Sequence, residues 1–251
     1  MEINSLIRKI SGIIFCLSVL LYLFFSTRTS RLIFCDVGQG TATFLSLGST
    51  QILIDTGPDM RVLPCIGKYM PFFDRTIEVI IISHNQKDHT GALQTILKKY
   101  KVNHVIGPAM PIDPPRNTQV TIVKKDVAFQ IKQLQFSITK ASTTSTDANE
   151  SANVVTIRTP YDVIFLPSDI DGFELKRLIP PMCTILEIPH HGSKYGLYPD
   201  SLLLAHPTLA VISVGKKNTY GHPSKDALNI LKAAKIPIWR TDLQGELVID
   251  L

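Results

Sequence analysis

The sequence predicts an α/β protein of the four-layer α/β/β/α sandwich class, on three observations. Short apolar runs rich in Val, Ile and Phe mix with helical patterns in both halves of the chain. Each half opens with neighbouring strand-like runs joined by tight turns. The run "TIEVIIISH" is continuously apolar, as in a strand buried on both faces. Two mixed sheets packed face to face, with helices outside, accommodate that order. With 251 residues, 45% hydrophobic and 19% charged, the chain can bury a large core, which excludes a disordered polypeptide.

The elements follow in order. The first stretch carries Arg8 and Lys9, then an uncharged run over residues 10–25. As a helix that run reaches ~24 Å. No small-residue cleavage site follows it, so residues 1–30 are expected to be an uncleaved membrane anchor and residues 31–251 a single domain. Basic residues lie on both sides of the run, so the positive-inside rule barely sets orientation; the domain is expected outside the cytoplasm. Next come the strands "RLIFCDV", "TATFLSLG" and "QILIDTG", separated by turns that include Gly38 and Gly40. A helix is expected over residues 59–70, then "TIEVIIISH", then a helix over "TGALQTILKKY" with Thr90 as its N-cap. Strands "KVNHVIG" and "QVTIVKK" follow, then one long alternating run, "VAFQIKQLQFSITK", and a Ser/Thr-rich loop at residues 142–151.

The second half continues with strands "NVVTIRT" and "DVIFLPSD", a short helix at "GFELKRLI", and strands "CTILEIPHH" and "LAVISVG". Helix "PSKDALNILKAAK" and strands "IPIWRT" and "GELVIDL" complete the chain. The cysteines Cys16, Cys35, Cys65 and Cys183 show no C-x-x-C spacing and are expected to be buried small hydrophobes. A net charge of +5 and a pI near 9.0 suit an acidic partner such as nucleic acid or a lipid headgroup surface.

Chemistry-bearing residues gather at strand ends. His84, Asp88 and His89 follow one buried strand, and two imidazoles and a carboxylate within six residues form a pattern suited to zinc, or to manganese if oxygen ligands dominate. Asp55, Asp169, His190, His191 and His222 occupy comparable positions after other strands. Each alone is an ordinary turn residue; together they exceed what polar turns supply. His104 and His206 are expected to be structural or exposed. Lys194, Lys216, Lys217 and Lys225 lie beside the histidine blocks and are candidates for phosphate oxygens, and Ser193 and Asn218 for hydrogen bonds to ligand.

The blocks "FCDVGQGTATFLSLGSTQILIDTG", "SHNQKDHTGAL", "FLPSDI", "EIPHHGSKYG" and "ISVGKKNTYGHPSKDALNIL" together resemble the metallo-β-lactamase-like domain of ComEC-type competence proteins and their stand-alone relatives. The resemblance implies an αββα sandwich with a metal centre between the upper edges of two sheets, in a superfamily rich in phosphodiesterases and nucleases. By that resemblance His84 serves a first metal, Asp88 and His89 a second, and Asp169 bridges both. One of His190, His191 or His222 completes the shell, with Asp55 behind it. Three positions depart from the pattern: Gln86 stands where a His or Asp ligand is usual, Thr41 replaces an Asp, and Ser168 stands in the usual T-G-D turn. Gln86 weakens the first position, because a neutral amide oxygen is a poorer ligand than imidazole or carboxylate.

The expected function is therefore a membrane-anchored, metal-dependent phosphodiesterase or nuclease acting on DNA. Asp88 and Asp169 are its central carboxylates, and one Zn or Mn ion is expected rather than two. The alternative is a degenerate module that binds single-stranded DNA or a protein partner at the same groove. A separate channel protein would be needed for DNA passage.

Overall fold

The computed structural model describes residues 2–26, 30–111, 113–142, 147–149, 151–203 and 205–251. The end of the expected anchor, residues 27–29, and part of the Ser/Thr-rich loop, residues 143–146 and 150, lie outside the described residues. Two seven-stranded mixed sheets form the centre. The first contains β1 (Ser30–Phe34), β2 (Thr43–Leu47), β3 (Thr50–Ile54), β4 (Thr76–Ile81), β5 (Lys101–Gly107) and β6 (Gln119–Ile122). The second contains β7 (Val127–Ile131), β8 (Leu134–Lys140), β9 (Asn153–Arg158), β10 (Val163–Leu166), β11 (Ile185–Glu187), β12 (Leu209–Ile212) and β13 (Ile238–Arg240). The last strand, β14 (Leu247–Asp250), returns to the first sheet and pairs antiparallel with β1, placing Arg31 opposite Asp250. Each half of the chain thus builds one sheet, and the C-terminus closes the edge of the other.

Period-two alternation sorts the side chains into layers. Leu32, Phe34, Ile52 and Ile54 of the first sheet meet Phe136, Ile138, Val155 and Ile164 of the second in a shared inner core. The opposite face, with Ile33, Phe44, Leu53 and Ile80, packs on α2 (Val62–Tyr69) and α4 (Leu93–Lys99). The outer face of the second sheet, with Phe165, Leu186 and Ile212, covers α5 (Gly172–Leu178) and α6 (Lys225–Ala233). That is the four-layer order the sequence predicts.

Several local expectations are corrected. The helix expected at residues 59–70 starts only at Val62, because Asp59 is spent on pairing with Arg61. Thr90 is not an N-cap. It ends the short α3 (Lys87–Thr90) and donates its hydroxyl to the Gln86 carbonyl, so Asp88 and His89 stand on a helical turn. The long alternating run is a hairpin, turned at Lys132, whose φ is 53°. Cys35 and Cys65 are not separate buried hydrophobes but a disulfide between the end of β1 and α2; Cys183 is free and buried, and Cys16 is exposed.

The N-terminal run does form a helix, α1 (Glu2–Ser26), and exposes Ile10, Ile14, Phe15 and Leu20. Among the described residues, however, no helix is long and apolar enough to cross a membrane. The expected single-pass span is therefore not borne out. The uncharged run ends short of the roughly 30 Å hydrocarbon thickness of a bilayer.

Candidate metal centre

The site lies where strands of both sheets end side by side. β3 delivers Asp55, β4 leads into Ser83 and His84, and α3 follows with Asp88 and His89. From the second sheet β10 delivers Ser168 and Asp169, β11 leads to His190 and His191, and β12 to Ser213. Four of these residues hold left-handed backbone without being glycine: Asp55 at φ 56°, Ser168 at 59°, His190 at 51° and His191 at 55°. Side chains tolerate that region only when the surroundings over-determine it, and such strain gathers at functional sites.

Close backbone contacts tie α3 to the loops of the first sheet. Thr41 N–H donates to the Asp88 carbonyl at 3.1 Å and Thr56 N–H to the His89 carbonyl at 2.7 Å. Gly40 is required here, since a Cβ on it would stand 2.4 Å from the Asp88 oxygen. The "DVGQGT" turn therefore clamps the histidine-bearing helical turn onto the first sheet.

Asp88, His89, Asp169 and His191 bring one ligand atom each within 4.8 Å of one another. His89 Nε2 lies 3.2 Å from Asp169 Oδ1, and His191 Nε2 3.2 Å from Asp88 Oδ2. Behind them, Asp55 Oδ2 meets His89 Nδ1 at 2.6 Å, and the Ser213 carbonyl accepts from His191 Nδ1 at 2.7 Å. Both rings are thus held with Nε2 turned toward the carboxylates. Ser83 anchors Asp55 in turn, through its backbone N–H at 2.8 Å and its hydroxyl at 2.7 Å. Among the buried atoms without a hydrogen bond are His84 Nε2, His89 Nε2 and Asp169 Oδ2. Buried polar atoms are rarely left so. Two of these atoms, on His89 and Asp169, belong to the four-residue N/O set of two imidazoles and two carboxylates, a donor set that fits a divalent cation; the third, on His84, lies 3.9 Å from Asp169 Oδ2.

The electrostatics agree. Burial works against the Asp169 carboxylate, but the facing His89, His191 and His84 rings outweigh it and hold its carboxyl well below the usual range. Burial likewise disfavours charge on His89, yet Asp169 and Asp55 raise its pKa well above that of a free imidazole. His191 is raised too, burial being outweighed by Asp88 and Asp169. His84 goes the other way: burial and the neighbouring His89 push it down to about 4. It therefore stays neutral at physiological pH.

The other expected residues divide. His84 sits beside the cluster, its Nε2 3.9 Å from Asp169 Oδ2 and its Nδ1 between the Ser83 and Ser168 hydroxyls at 3.0 and 3.1 Å. His190 Nε2 also lies 3.9 Å from Asp169 Oδ2, with 38% of its side chain exposed. His222 stacks on Tyr220 and stands outside the four-residue group. Gln86 is not one of the four clustered residues: its Nε2 donates to Asn149 Oδ1 at 2.6 Å. A cavity of about 440 Å³ opens over the cluster, lined among others by Gln39, Arg61, Asp88, His190, Tyr220 and His222.

Of the residues expected to meet substrate, Ser193 is buried and outside the residues that line this cavity. Lys194 lies over the Tyr195 ring, and Lys225 is exposed at the start of α6. Asn218 is spent internally, donating to the carbonyls of Gly215 and His222 and accepting from His222 N–H. His104 on β5 meets Thr121 Oγ1 at 2.8 Å, away from the site. Sequence reasoning missed Ser83, Arg61 and Ser213, whose parts rest on contacts across strands.

Comparison with known proteins gives the same direction. Residues 50–165 match the beta-lactamase superfamily domain. ComE operon protein 3 of Bacillus subtilis is 27% identical over 244 residues, covering 84% of this chain and 31% of that protein. Recombination protein 2 of Haemophilus influenzae is 26% identical over 256 residues, covering 99% of this chain and 32% of that protein. The chain thus spans about a third of the length of these curated relatives. Among solved structures, the metallo-beta-lactamase fold protein YhfI from Bacillus subtilis superposes with a TM-score of 0.60 at 9% identity, covering 88% of this chain and 100% of that one, which shows the fold. On the matched segment and the shared architecture, residues 50–165 are similar to the beta-lactamase superfamily domain, and the chain as a whole is similar to a segment, about a third in length, of competence-related proteins of this fold.

Proposed function

We propose that the chain is a metal-dependent phosphodiester hydrolase acting on DNA, holding one Zn or Mn ion at Asp88, His89, Asp169 and His191. The observation that carries this reading is the convergence of those four residues, two of which, His89 and Asp169, hold a buried polar atom with no hydrogen bond. A divalent ion bound there supplies Lewis acidity and an activated nucleophile at neutral pH. Asp55 and the Ser213 carbonyl each accept a hydrogen bond from the Nδ1–H of their histidine, fixing the tautomer that offers Nε2. Asp169 keeps its carboxyl ionised and can serve two positions, its Oδ1 facing His89 and its Oδ2 lying near His84 and His190. His84, His190 and Asp169 thereby form a second, weaker position without Gln86.

The relatives' names support a DNA-related role by analogy of family, and a separate channel protein is part of that proposal. The Cys35–Cys65 disulfide supports an extracytoplasmic setting, since such bonds persist in oxidising compartments. We place α1 at a membrane surface, its exposed isoleucines and leucines being poorly suited to water.

The test is metal content and turnover together. The chain should copurify with about one metal per molecule and cleave bis(p-nitrophenyl) phosphate. Asp88→Ala and Asp169→Ala should each lose both properties while His104→Ala keeps them; equal loss in all three would mean unfolding and would sink the ligand assignment. The second reading, a binding module without turnover, is favoured by the Gln86–Asn149 bond, which withdraws one ligand position. Metal binding without cleavage would select it.

A further inference from the structure

A second cavity of about 430 Å³ adjoins the first and contains none of the four clustered ligands; Gln39 and Arg61 line both. Its other walls are Asp36, Gly38, Gly215, Lys216, Lys217 and Asn218. The cavity is built and not a chance gap between loops. Gly215 approaches so closely that a Cβ on it would stand 2.6 Å from Gln39 N, and Gln39 Oε1 accepts the Gly215 N–H at 3.3 Å. Arg61 is fixed by a forked pair with Asp59, Nε to Oδ1 at 2.9 Å and Nη2 to Oδ2 at 2.9 Å, and its guanidinium lies directly over Gly38. Lys216 and Lys217 have no ion pair among the described residues. Asp36 is the one carboxylate in the wall, and its Oδ1 accepts the Gly38 N–H at 3.2 Å.

One loop joins the two cavities. Asn218 ties residues 215 and 222 together through its three hydrogen bonds, so Lys216 and Lys217 at its start and Tyr220 near its end are presented on one closed turn. Tyr220 lines the first cavity, backs onto His222 in a near-parallel stack at 6.0 Å and 14°, and is 71% exposed. An aromatic face supported from behind and open in front is a platform for another flat ring.

We propose that the two cavities form one track for a single-stranded polynucleotide, with one phosphodiester at the metal cluster, the neighbouring phosphate on Lys216, Lys217 and Arg61, and a base stacked on Tyr220. The placement of the first phosphate rests on the hydrolase reading above; the other two contacts do not. A cationic pocket beside the reaction centre adds nothing to a small diester and favours a polyanion. A stacking platform selects unpaired bases, because in a duplex both faces of each base are covered by its neighbours.

The experiment is fluorescence anisotropy of the full chain in EDTA with labelled oligothymidylate, oligouridylate and a duplex of that oligothymidylate with oligoadenylate long enough to stay paired at the assay temperature, over a range of salt. EDTA removes the contribution of metal and cleavage, so binding is read separately from turnover of bis(p-nitrophenyl) phosphate. The single strands should bind more tightly than the duplex. Lys216→Ala with Lys217→Ala should lower the log–log salt slope by about 0.7, the value for the one phosphate these residues hold on a single strand. Tyr220→Ala should weaken binding on the order of tenfold, Tyr220→Phe should restore it, and Tyr161→Ala, at the other end of β10, should have no effect. Duplex binding as tight as single strand, an unchanged slope, or an indifferent Tyr220→Ala would each overturn the track. Intact single-strand binding in a chain that does not cleave the small diester would reject the hydrolase reading and leave the track standing.

Discussion

Asp55 Oδ2 and His89 Nδ1 meet at 2.6 Å in the floor of the site, although 34 residues separate them in the chain. The pair joins the end of β3 to α3 and decides which nitrogen of His89 faces Asp169. Asp55→Asn keeps the size of the side chain but offers a weaker partner to the ring. Metal affinity should fall about 10- to 100-fold, measured by competition with a chromogenic chelator. Wild-type affinity in a folded variant would show that Asp55 serves only to hold Ser83.

Glu187 gives a pH prediction. It is fully buried, with Ser213 Oγ donating to its Oε1 at 2.7 Å, and burial pushes its carboxyl up to about 7. Unfolded, it titrates near its ordinary value of 4.5. Between those values the folded state binds more protons than the unfolded one, so stability falls as pH rises, by roughly 1 kcal/mol per unit, and no further above the folded pKa. Glu187→Gln retains an acceptor for Ser213 and removes the titration. In metal-free protein the urea midpoint of the variant should exceed that of wild type by more at pH 8 than at pH 5. A gap that does not change with pH would exclude ionisation of Glu187 as its cause.

The disulfide carries a stability prediction. Cys35 and Cys65 close a loop of sequence separation 30, and the bond holds the strand that enters the "DVGQG" turn against the helix that follows Arg61. Replacing both by Ser should cost about 2–4 kcal/mol, read from denaturant unfolding of oxidised wild type and the double variant. An equal midpoint in the two would mean that the surrounding core already fixes this loop.

The layers were legible in the sequence, and the crossings between them were not. Apolar runs bounded by turn residues marked most strands, and the structure sorts them by face, Leu32 and Phe34 into the inner core and Ile33 under the helices. The hairpin at Lys132 was invisible because alternation continues through "IKQLQ" with no Gly, Pro or Asn to mark the turn. The pairing of β14 with β1 joins the two ends of the domain, and no local pattern encodes it. In the site, residue types at strand ends named Asp88, His89 and Asp169 as candidates. Spacing alone could not choose His191 over His190 and His222, since that choice depends on the left-handed backbone of two adjacent histidines and on the Ser213 carbonyl behind one of them. Nor could it pair Cys35 with Cys65.

Gln86 is where the chemistry and the departure from the family pattern meet, and its structural role sharpens the test. Its backbone carbonyl accepts from His89 N–H, Thr90 N–H and the Thr90 hydroxyl, so the main chain at this position starts the helical turn whatever the side chain is. Among the described residues its side chain bonds Asn149. Gln86→His should therefore leave Asp88 and His89 in place while adding an imidazole near His84, whose Nε2 and the facing Asp169 Oδ2 both lack a hydrogen bond. A ligand set that gains a nitrogen donor binds a dication more tightly, so metal content should rise from about one toward two per chain, and cleavage of bis(p-nitrophenyl) phosphate should rise with it through a two-ion clamp. Asn149→Ala separates the two roles of the position: it frees the Gln86 amide without adding a ligand, so metal content should stay near one. If Gln86→His raises occupancy without turnover, Thr41 and Ser168 have removed something else the chemistry needs, and the chain is a binding module. If it changes neither quantity, Gln86 does not stand at a metal position, and the withdrawn ligand must be sought elsewhere along the "SHNQKDH" loop.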